Sequence, residues 1–284
     1  MNVLLIASLV LREASRRRLL LTVAVLTVAL VALTGWGFEK LAAIHNGSHP
    51  LPHYALMIIC STLVIMMAFM FSVILSIGAA FLGAISTGTE IENGTMLAIL
   101  PRPVRRPELL FGKWLGNAVL IAAYALVIAG SEFFVVKITT GYSPPHPLTA
   151  IGFLIAQALI VLTLTMGLSI RLSSVAAGFS AVVVFAVAWI TGVAGAIATA
   201  LHNVPLHQAT LLISLVVPTD GIWRSAAYAL EPAAMAAASA ATSQTGSNPF
   251  ISPTAPVPPY LIWCCVWFVS VFGLSLWSFA RRDI

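Results

Sequence analysis

The sequence contains six apolar stretches, each long enough to cross a lipid bilayer as an α-helix. About 20 residues at a rise of about 1.5 Å per residue span the roughly 30 Å of hydrocarbon. The stretches are continuous, whereas the strands of a membrane β-barrel alternate in segments of about ten residues. The sequence therefore predicts an all-α membrane protein, a single domain of residues 1–284 with six transmembrane helices. Their approximate limits are 19–38, 54–85, 114–136, 148–170, 175–201 and 260–280.

The composition excludes two other classes of protein. Hydrophobic residues make up 60% of the chain and charged residues only 8%, against about 45–50% and 25% in soluble domains. So few charges cannot coat a water-facing surface, and a disordered chain would need low hydrophobicity and high charge.

The positions of the fourteen Lys and Arg residues predict the orientation in the membrane. Four precede the first stretch, four lie between the second and third, one follows the fourth and two follow the sixth. With both termini in the cytoplasm these all lie inside, and only Lys40, Lys137 and Arg224 lie outside, as the positive-inside rule requires. The net charge of +5 thus reflects topology, and no nucleic-acid partner is expected.

Residues 1–18 form a further predicted element, a short helix at the membrane interface. Their apolar residues precede the cluster of Arg16, Arg17 and Arg18, which is the reverse of a secretory signal. We expect these three arginines to hold the end of the helix at the lipid head groups.

The second apolar stretch has two notable features. It is too long for a perpendicular span, so it is expected to tilt, to kink near Gly78 or to project beyond the bilayer. It also carries small side chains every fourth residue, a pattern that permits close helix packing. We favour packing within the subunit over a dimer seam. The small residues are Ser72, Ser76, Ala80 and Ala84.

The segment between the second and third stretches, residues 86–113, is predicted to be a cytoplasmic loop. Glu90 and Glu92 precede a short apolar run at 96–100, which Pro101 and Pro103 close. Acidic residues suit the beginning of a helix and proline suits its end. The loop is therefore either a short helix with charged ends, which a soluble domain can grip, or a solvated loop that satisfies the positive-inside rule.

The order of residues in this loop resembles that of permease subunits of type-2 ABC exporters. With the basic N-terminal helix and the six spans, the resemblance covers nearly the whole chain. It implies a type-2 exporter-like fold with both termini in the cytoplasm, in which residues 86–113 are the coupling loop that docks on an ATPase subunit. The matching residues are Glu90, Glu92, Gly94, Thr95, Leu100, Pro103, Val104, Arg105, Arg106, Gly112 and Lys113.

The resemblance also implies partners and residue roles. We expect Glu90, Glu92, Gly94 and Leu97 to dock on the ATPase. Arg105, Arg106 and Lys113 are expected to hold the loop at the membrane surface. The full transporter would contain two permease subunits, identical or related, and two P-loop ATPase subunits that bind ATP and Mg. The expected location is the inner or plasma membrane of a prokaryotic cell, which the chain crosses several times.

No motif for catalysis or nucleotide binding occurs in the chain. It contains no Gly-x-x-x-x-Gly-Lys-(Ser/Thr), no His-Glu-x-x-His and no Gly-x-Ser-x-Gly. We therefore expect a transport subunit that is not an enzyme and has no cofactor of its own. The alternative is an ATP-independent secondary transporter or channel, which would show inverted repeats with broken spans; residues 1–140 and 141–284 show no such pairing.

Glu132 is the only carboxylate well inside a predicted span. Intramembrane charges are costly and mark cavities or paired sites, so Glu132 is a candidate for the translocation path. The alternative is mutual snorkelling with Lys137. No metal site is expected, because Pro50 and Pro52 interrupt the regular spacing of His45, His49 and His53.

The last loop, residues 202–259, is predicted to be long and extracytoplasmic. Its apolar run at 211–217 is too short to cross the membrane, which suggests a partly buried or re-entrant helix, followed by an amphipathic helix around 223–230. Residues 232–259 have the Ala, Ser and Pro content of a linker. This part is either a lid over the extracytoplasmic exit of the transport path or a linker with no further role.

Overall fold

A computed structural model describes residues 2–16, 19–45, 52–92, 106–233, 252 and 255–281. Within these ranges the regular structure is entirely helical. The helices are α1 (Asn2–Arg16), α2 (Leu19–His45), α3 (His53–Glu92), α4 (Arg106–Thr140), α5 (Pro147–Ser169), α6 (Ser174–Ala200), α7 (Val204–Val216), α8 (Thr219–Leu230) and α9 (Pro258–Ala280).

Six of these helices have the length and apolar character of membrane spans: α2, α3, α4, α5, α6 and α9. This confirms the prediction of an all-α protein with six transmembrane helices. The short helix predicted in residues 1–18 corresponds to α1, which buries Ala7 and exposes Leu4, Leu5 and Leu9.

Two spans are longer than hydropathy indicates. Helix α3 is continuous through Gly78 for 40 residues, which is about 60 Å at 1.5 Å per residue, roughly twice the hydrocarbon thickness. It therefore projects beyond the bilayer. Because α3 ends at Glu92 and α4 begins at Arg106, the connection between them is residues 93–105, shorter than the predicted 86–113. Near these two ends, Thr87 of α3 and Lys113 of α4 are buried although both are polar.

Helix α5 occupies the centre of the bundle. It packs against α3, α4, α6, α8 and α9, and its side chains Leu154, Ala158 and Leu162 are almost completely buried. Helices α2 and α9 lie at the periphery and expose large apolar side chains such as Val28 and Val269. An apolar exterior of this kind suits a lipid environment.

The small residues of α3 face the interior of the subunit. Ser72, Ser76, Ala80 and Ala84 are all at most 2% exposed. Ala80 clusters with side chains of α5 and α6, and the Cβ of Ala84 lies opposite Gly178 of α6. The prediction of packing within the subunit is confirmed.

The segment between α6 and α9 contains two short helices. Helices α7 and α8 have 13 and 12 residues, too few to cross the hydrocarbon at about 1.5 Å per residue. Helix α8 buries Trp223, Ala226 and Leu230 and packs chiefly against α5. The two helices predicted in this segment, at 211–217 and around 223–230, correspond to α7 and α8, and each begins earlier than predicted, at Val204 and at Thr219. Residues 234–251 lie outside the described part of the chain.

Candidate functional site

Several predicted site residues lie outside the part of the chain that the structure describes. These are Gly94, Leu97 and Arg105, together with Arg17 and Arg18 near the N-terminus. Glu90 and Glu92 are backbone positions in the last turn of α3, Arg106 begins α4 and Arg16 ends α1. The structure therefore describes the helical frame of the loop, by which we mean the end of α3, the beginning of α4 and the helices that contact them.

The frame joins α3 to α4 through a buried lysine. Lys113 of α4 is only 5% exposed, and its Nζ donates a hydrogen bond of 2.8 Å to the carbonyl oxygen of Ser86 on α3. One turn later, Nδ2 of Asn117 donates to the Ser86 hydroxyl at 2.9 Å. The Lys113 ammonium thus contacts a neighbouring helix, and the predicted role of Lys113 at the membrane surface stays a prediction.

The residues on either side of Lys113 contact two further helices. A Cβ at Gly112 would lie 2.8 Å from the Cβ of Ile6, and one at Gly116 would lie 2.8 Å from the Cβ of Val10, so α1 and α4 approach as only glycine permits. On another side of α4, Nε1 of Trp114 donates to the Thr163 hydroxyl of α5 at 3.0 Å. Residues 112, 113 and 114 therefore fasten the beginning of α4 to α1, α3 and α5 respectively.

The end of α3 is held from a second side by α6. A Cβ added to Gly88 would lie 2.7 Å from the Cβ and 2.8 Å from the Cα of Ser174. The adjacent Ser173 caps α6 by accepting a bond from the backbone N–H of Ala176. Four residues before Glu92, α3 is thus in direct backbone contact with the beginning of α6.

We expect Lys113→Ala to destabilise the protein, since it removes both the bond to Ser86 and a buried aliphatic stem. The expected loss is about 1–3 kcal/mol, the usual cost of breaking a buried hydrogen bond. Thermal unfolding of the full chain in detergent measures it. Lys137→Ala is the matched control, because Lys137 is an exposed lysine near the other end of the same helix. An equal effect of the two substitutions would contradict the bracing role of Lys113.

A polar cluster fastens α8 to α6 at the other end of the bundle. Nε of Arg224 donates to the Asp220 carboxylate at 2.7 Å, and its NH2 group donates to the carbonyl oxygen of Gly192 at 2.7 Å. The Asp220 side chain lies so close to Gly192 that no Cβ could fit there. Burial raises the pKa of Asp220, and the Arg224 guanidinium opposes that rise. The ion pair thus offsets the free-energy cost of burying the Asp220 carboxyl group between α6 and α8.

Two tryptophan side chains of α9 form hydrogen bonds with the neighbouring junction between α7 and α8. Nε1 of Trp263 and of Trp267 donate to the carbonyl oxygens of Leu215 and Val216, at 3.0 and 2.7 Å. These carbonyl groups belong to the end of α7, where a helix leaves its last acceptors unpaired. The two tryptophans therefore supply hydrogen-bond donors for carbonyl groups that the end of α7 leaves without a partner in the helix.

The Asp220–Arg224 pair gives a second prediction. We expect Asp220→Ala and Arg224→Ala each to cost about 1–3 kcal/mol of unfolding free energy, because each leaves a partly buried polar group without its partner. The double variant should cost less than the sum of the two. A double-mutant cycle of unfolding in detergent tests this, and strict additivity would show that the pair has no mutual interaction.

The comparison with known protein families agrees with the helical membrane architecture of the chain. The family model described as ABC-2 family transporter protein matches residues 5–284, nearly the full length. The chain belongs to this family. No curated protein matches the chain.

Membership of the ABC-2 family makes this protein a multi-pass membrane component of an ABC transporter, a class of permease that works with ATPase subunits. The Gly112-Lys113 pair, which the sequence supplied only as part of a motif, has a structural explanation in this ABC-2 permease. Because Gly112 has no side chain, α1 can approach closely, and the Lys113 ammonium donates a hydrogen bond to α3.

Glu132 of the ABC-2 permease lies on the buried face of α4, between Ile128 and Val136. It is 4% exposed and forms no ion pair or hydrogen bond with the described residues, whereas Lys137 is exposed. The mutual snorkelling considered from the sequence is therefore absent from this part of the structure. A role for Glu132 in the translocation path stays a prediction.

The Asp220–Arg224–Gly192 cluster was missed by sequence analysis. The four-residue spacing of Asp220 and Arg224 was a signal for a helical ion pair, but the contribution of Gly192 comes from another helix. The described histidines form no cluster of three or more metal-binding side chains, with each other or with the Cys, Asp and Glu residues of the described ranges.

Proposed function

We propose that this protein is the permease subunit of an ABC exporter, in which residues 90–106 couple the transmembrane helices to a separate ATPase subunit. The observation that supports this most strongly is the frame around the loop. Both helices that flank it are fastened to neighbouring helices within two turns of its ends, through Gly88, Lys113 and Gly112. A movement of the loop would therefore move the rest of the helical bundle, because the helix ends on either side of the loop are packed against other helices.

The docking chemistry follows from the residues of the loop. Glu90 and Glu92, at the end of α3, provide negative charge for a basic surface of the ATPase. Gly94 and Leu97 provide a close backbone approach and an apolar contact. Electrostatic complementarity of this kind fixes the register of a complex and suppresses wrong partners. ATP and Mg would be bound entirely by the partner.

The proposed orientation places the loop and both termini in the cytoplasm of a prokaryotic cell, with the protein in its inner or plasma membrane. Arg16, Arg17 and Arg18, with Arg105 and Arg106, would then lie at the inner head groups. Basic residues are favoured on this face by the positive-inside rule.

The translocation path is proposed to lie between two permease subunits, identical or related. In the described subunit α5 fills the centre of the bundle, where its side chains are buried. A wide path through one copy would therefore require its core to open. Glu132 of α4, a buried carboxyl group without an ion-pair or hydrogen-bond partner among the described residues, is the candidate for a polar contact with the cargo or for a response to it.

Purification of the full chain from its native membrane under mild detergent tests the proposal. We expect a P-loop ATPase to copurify in stoichiometric amounts, and the reconstituted complex to move solute only with ATP. A chain that purifies alone and moves solute in ATP-free liposomes would contradict the proposal and support the alternative, an ATP-independent transporter or channel.

A further inference from the structure

An open cavity of about 420 Å³ lies where α5 and α9 end, on the same side of the bundle as the end of α3 and the beginning of α4. Its lining consists of Ile170, Arg171, Trp277, Ser278 and Arg281. The volume lies within the range of about 300–1,000 Å³ that is typical of ligand sites. We propose that this cavity binds the phosphate head group of an anionic phospholipid.

The position of the cavity matches the level of lipid head groups. Arg171 lies two residues after the end of α5, and Arg281 directly follows α9, so both arginines lie at the ends of membrane-spanning helices. This is where hydrocarbon gives way to the polar interface, whichever face of the membrane it belongs to. The site therefore does not depend on the proposed orientation or on coupling to an ATPase.

The charge of the cavity favours an anion. Arg171 and Arg281 are both exposed, and neither has a carboxylate partner among the residues that the structure describes. Two guanidinium groups present planar sets of N–H donors that match phosphate oxygens. Basic pockets between transmembrane helices are suited to phospholipid head groups for this reason.

One of the two arginines is already held in position. The guanidinium carbon of Arg281 lies 4.4 Å from the centroid of the Trp277 ring, in cation–π contact. Stacking occupies the face of the guanidinium group and leaves its N–H edges free for phosphate. The walls are also fixed, because α5 and α9 approach so closely at Gly167 and Ser275 that a Cβ on the glycine would collide with the serine hydroxyl.

The surroundings favour a lipid over a soluble phosphate. Next to the cavity, Leu274 and Trp277 of α9 are 63% and 53% exposed, and Leu172 is 42% exposed. These side chains form an apolar surface that an acyl chain can follow while its phosphate contacts the arginines. A soluble phosphate would leave this surface unused.

Native mass spectrometry of the full chain in detergent, titrated with phosphatidylglycerol or phosphatidylcholine, tests the proposal. We expect the wild-type chain to bind phosphatidylglycerol about thirtyfold more tightly than phosphatidylcholine, because two basic side chains each contribute about 1 kcal/mol toward an anionic lipid. The double variant R171Q/R281Q should lose that preference. Arg12→Gln, an arginine on α1 outside the cavity, is the matched control and should retain it.

Three results would overturn the proposal: equal binding of the two lipids by the wild-type chain, an unchanged preference in R171Q/R281Q, or an equal loss in Arg12→Gln. Displacement of the lipid by millimolar glycerol 3-phosphate would also overturn it, by assigning the site to a soluble phosphate. If R171Q/R281Q does not fold, R171K/R281K keeps the charge and removes the planar donors. Its affinity for phosphatidylglycerol should be lower than that of the wild type, and an equal affinity would contradict the proposed geometry.

Discussion

Replacing Glu90 and Glu92 with lysine is expected to abolish coupling between the permease and its ATPase while leaving the helical bundle folded. The two residues lie in the last turn of α3, at the beginning of the proposed coupling segment 90–106. Lysine at both positions changes the local charge by four units and places positive charge against the basic ATPase surface that the proposal pairs with the two carboxylates. Loss of a charged interfacial contact costs about 2–5 kcal/mol. We therefore expect copurification of the ATPase and transport-linked ATP hydrolysis to fall by about tenfold or more.

The matched control is Glu39→Lys. Glu39 is an exposed carboxylate near the end of α2, away from the loop, so its reversal changes net charge without touching the docking loop. Its ATPase copurification should equal that of the wild type. Unchanged transport-linked hydrolysis in the Glu90/Glu92 variant, with normal melting and gel filtration, would contradict the docking role of the acidic pair.

Alanine at Gly88 and alanine at Gly78 are expected to have opposite effects on stability, although both glycines lie in α3. At Gly88 the new Cβ would meet the backbone of Ser174 at 2.8 Å, so α3 and α6 must separate. Such overpacking costs about 1–3 kcal/mol. At Gly78 no atom lies within 4 Å of the new Cβ, so alanine should stabilise the helix by about 0.5–1 kcal/mol.

Thermal unfolding of both variants in the same detergent measures this difference. Transport-linked ATP hydrolysis should also fall in Gly88→Ala, because the contact that holds the end of α3 is loosened, and should be unchanged in Gly78→Ala. A Gly88→Ala variant as stable as Gly78→Ala would contradict the close approach of α3 and α6.

The spans were predictable from the sequence because each apolar stretch must satisfy its own backbone hydrogen bonds within the bilayer. The ends of the helices were not. Hydropathy treats Thr87 and Lys113 as residues that leave the membrane, yet both are buried against other helices. That burial depends on tertiary packing, such as the contact between Gly88 and Ser174, which no local pattern reveals.

The candidate site was predictable only in part for the same reason. The order of residues 90–113 predicts that this segment couples to a partner, and that stays a prediction; it gave no reason for a glycine followed by a lysine. The structure supplies the reason, since the two residues face α1 and α3. The Asp220–Arg224 pair had a local spacing signal, whereas its contact with Gly192 joins residues 32 positions apart.

Photo-cross-linking from residue 97 is the most direct test of the proposed coupling. A Leu97→Cys variant, in a background without Cys60, Cys264 and Cys265, would be labelled with a photoreactive maleimide in native membranes and irradiated. Leu201→Cys is the control, because Leu201 is exposed and follows α6 at the opposite end of the bundle. We predict that position 97 cross-links to the ATPase subunit and position 201 does not. Absence of an ATPase adduct at position 97, or an equal yield at position 201, would contradict coupling through this loop.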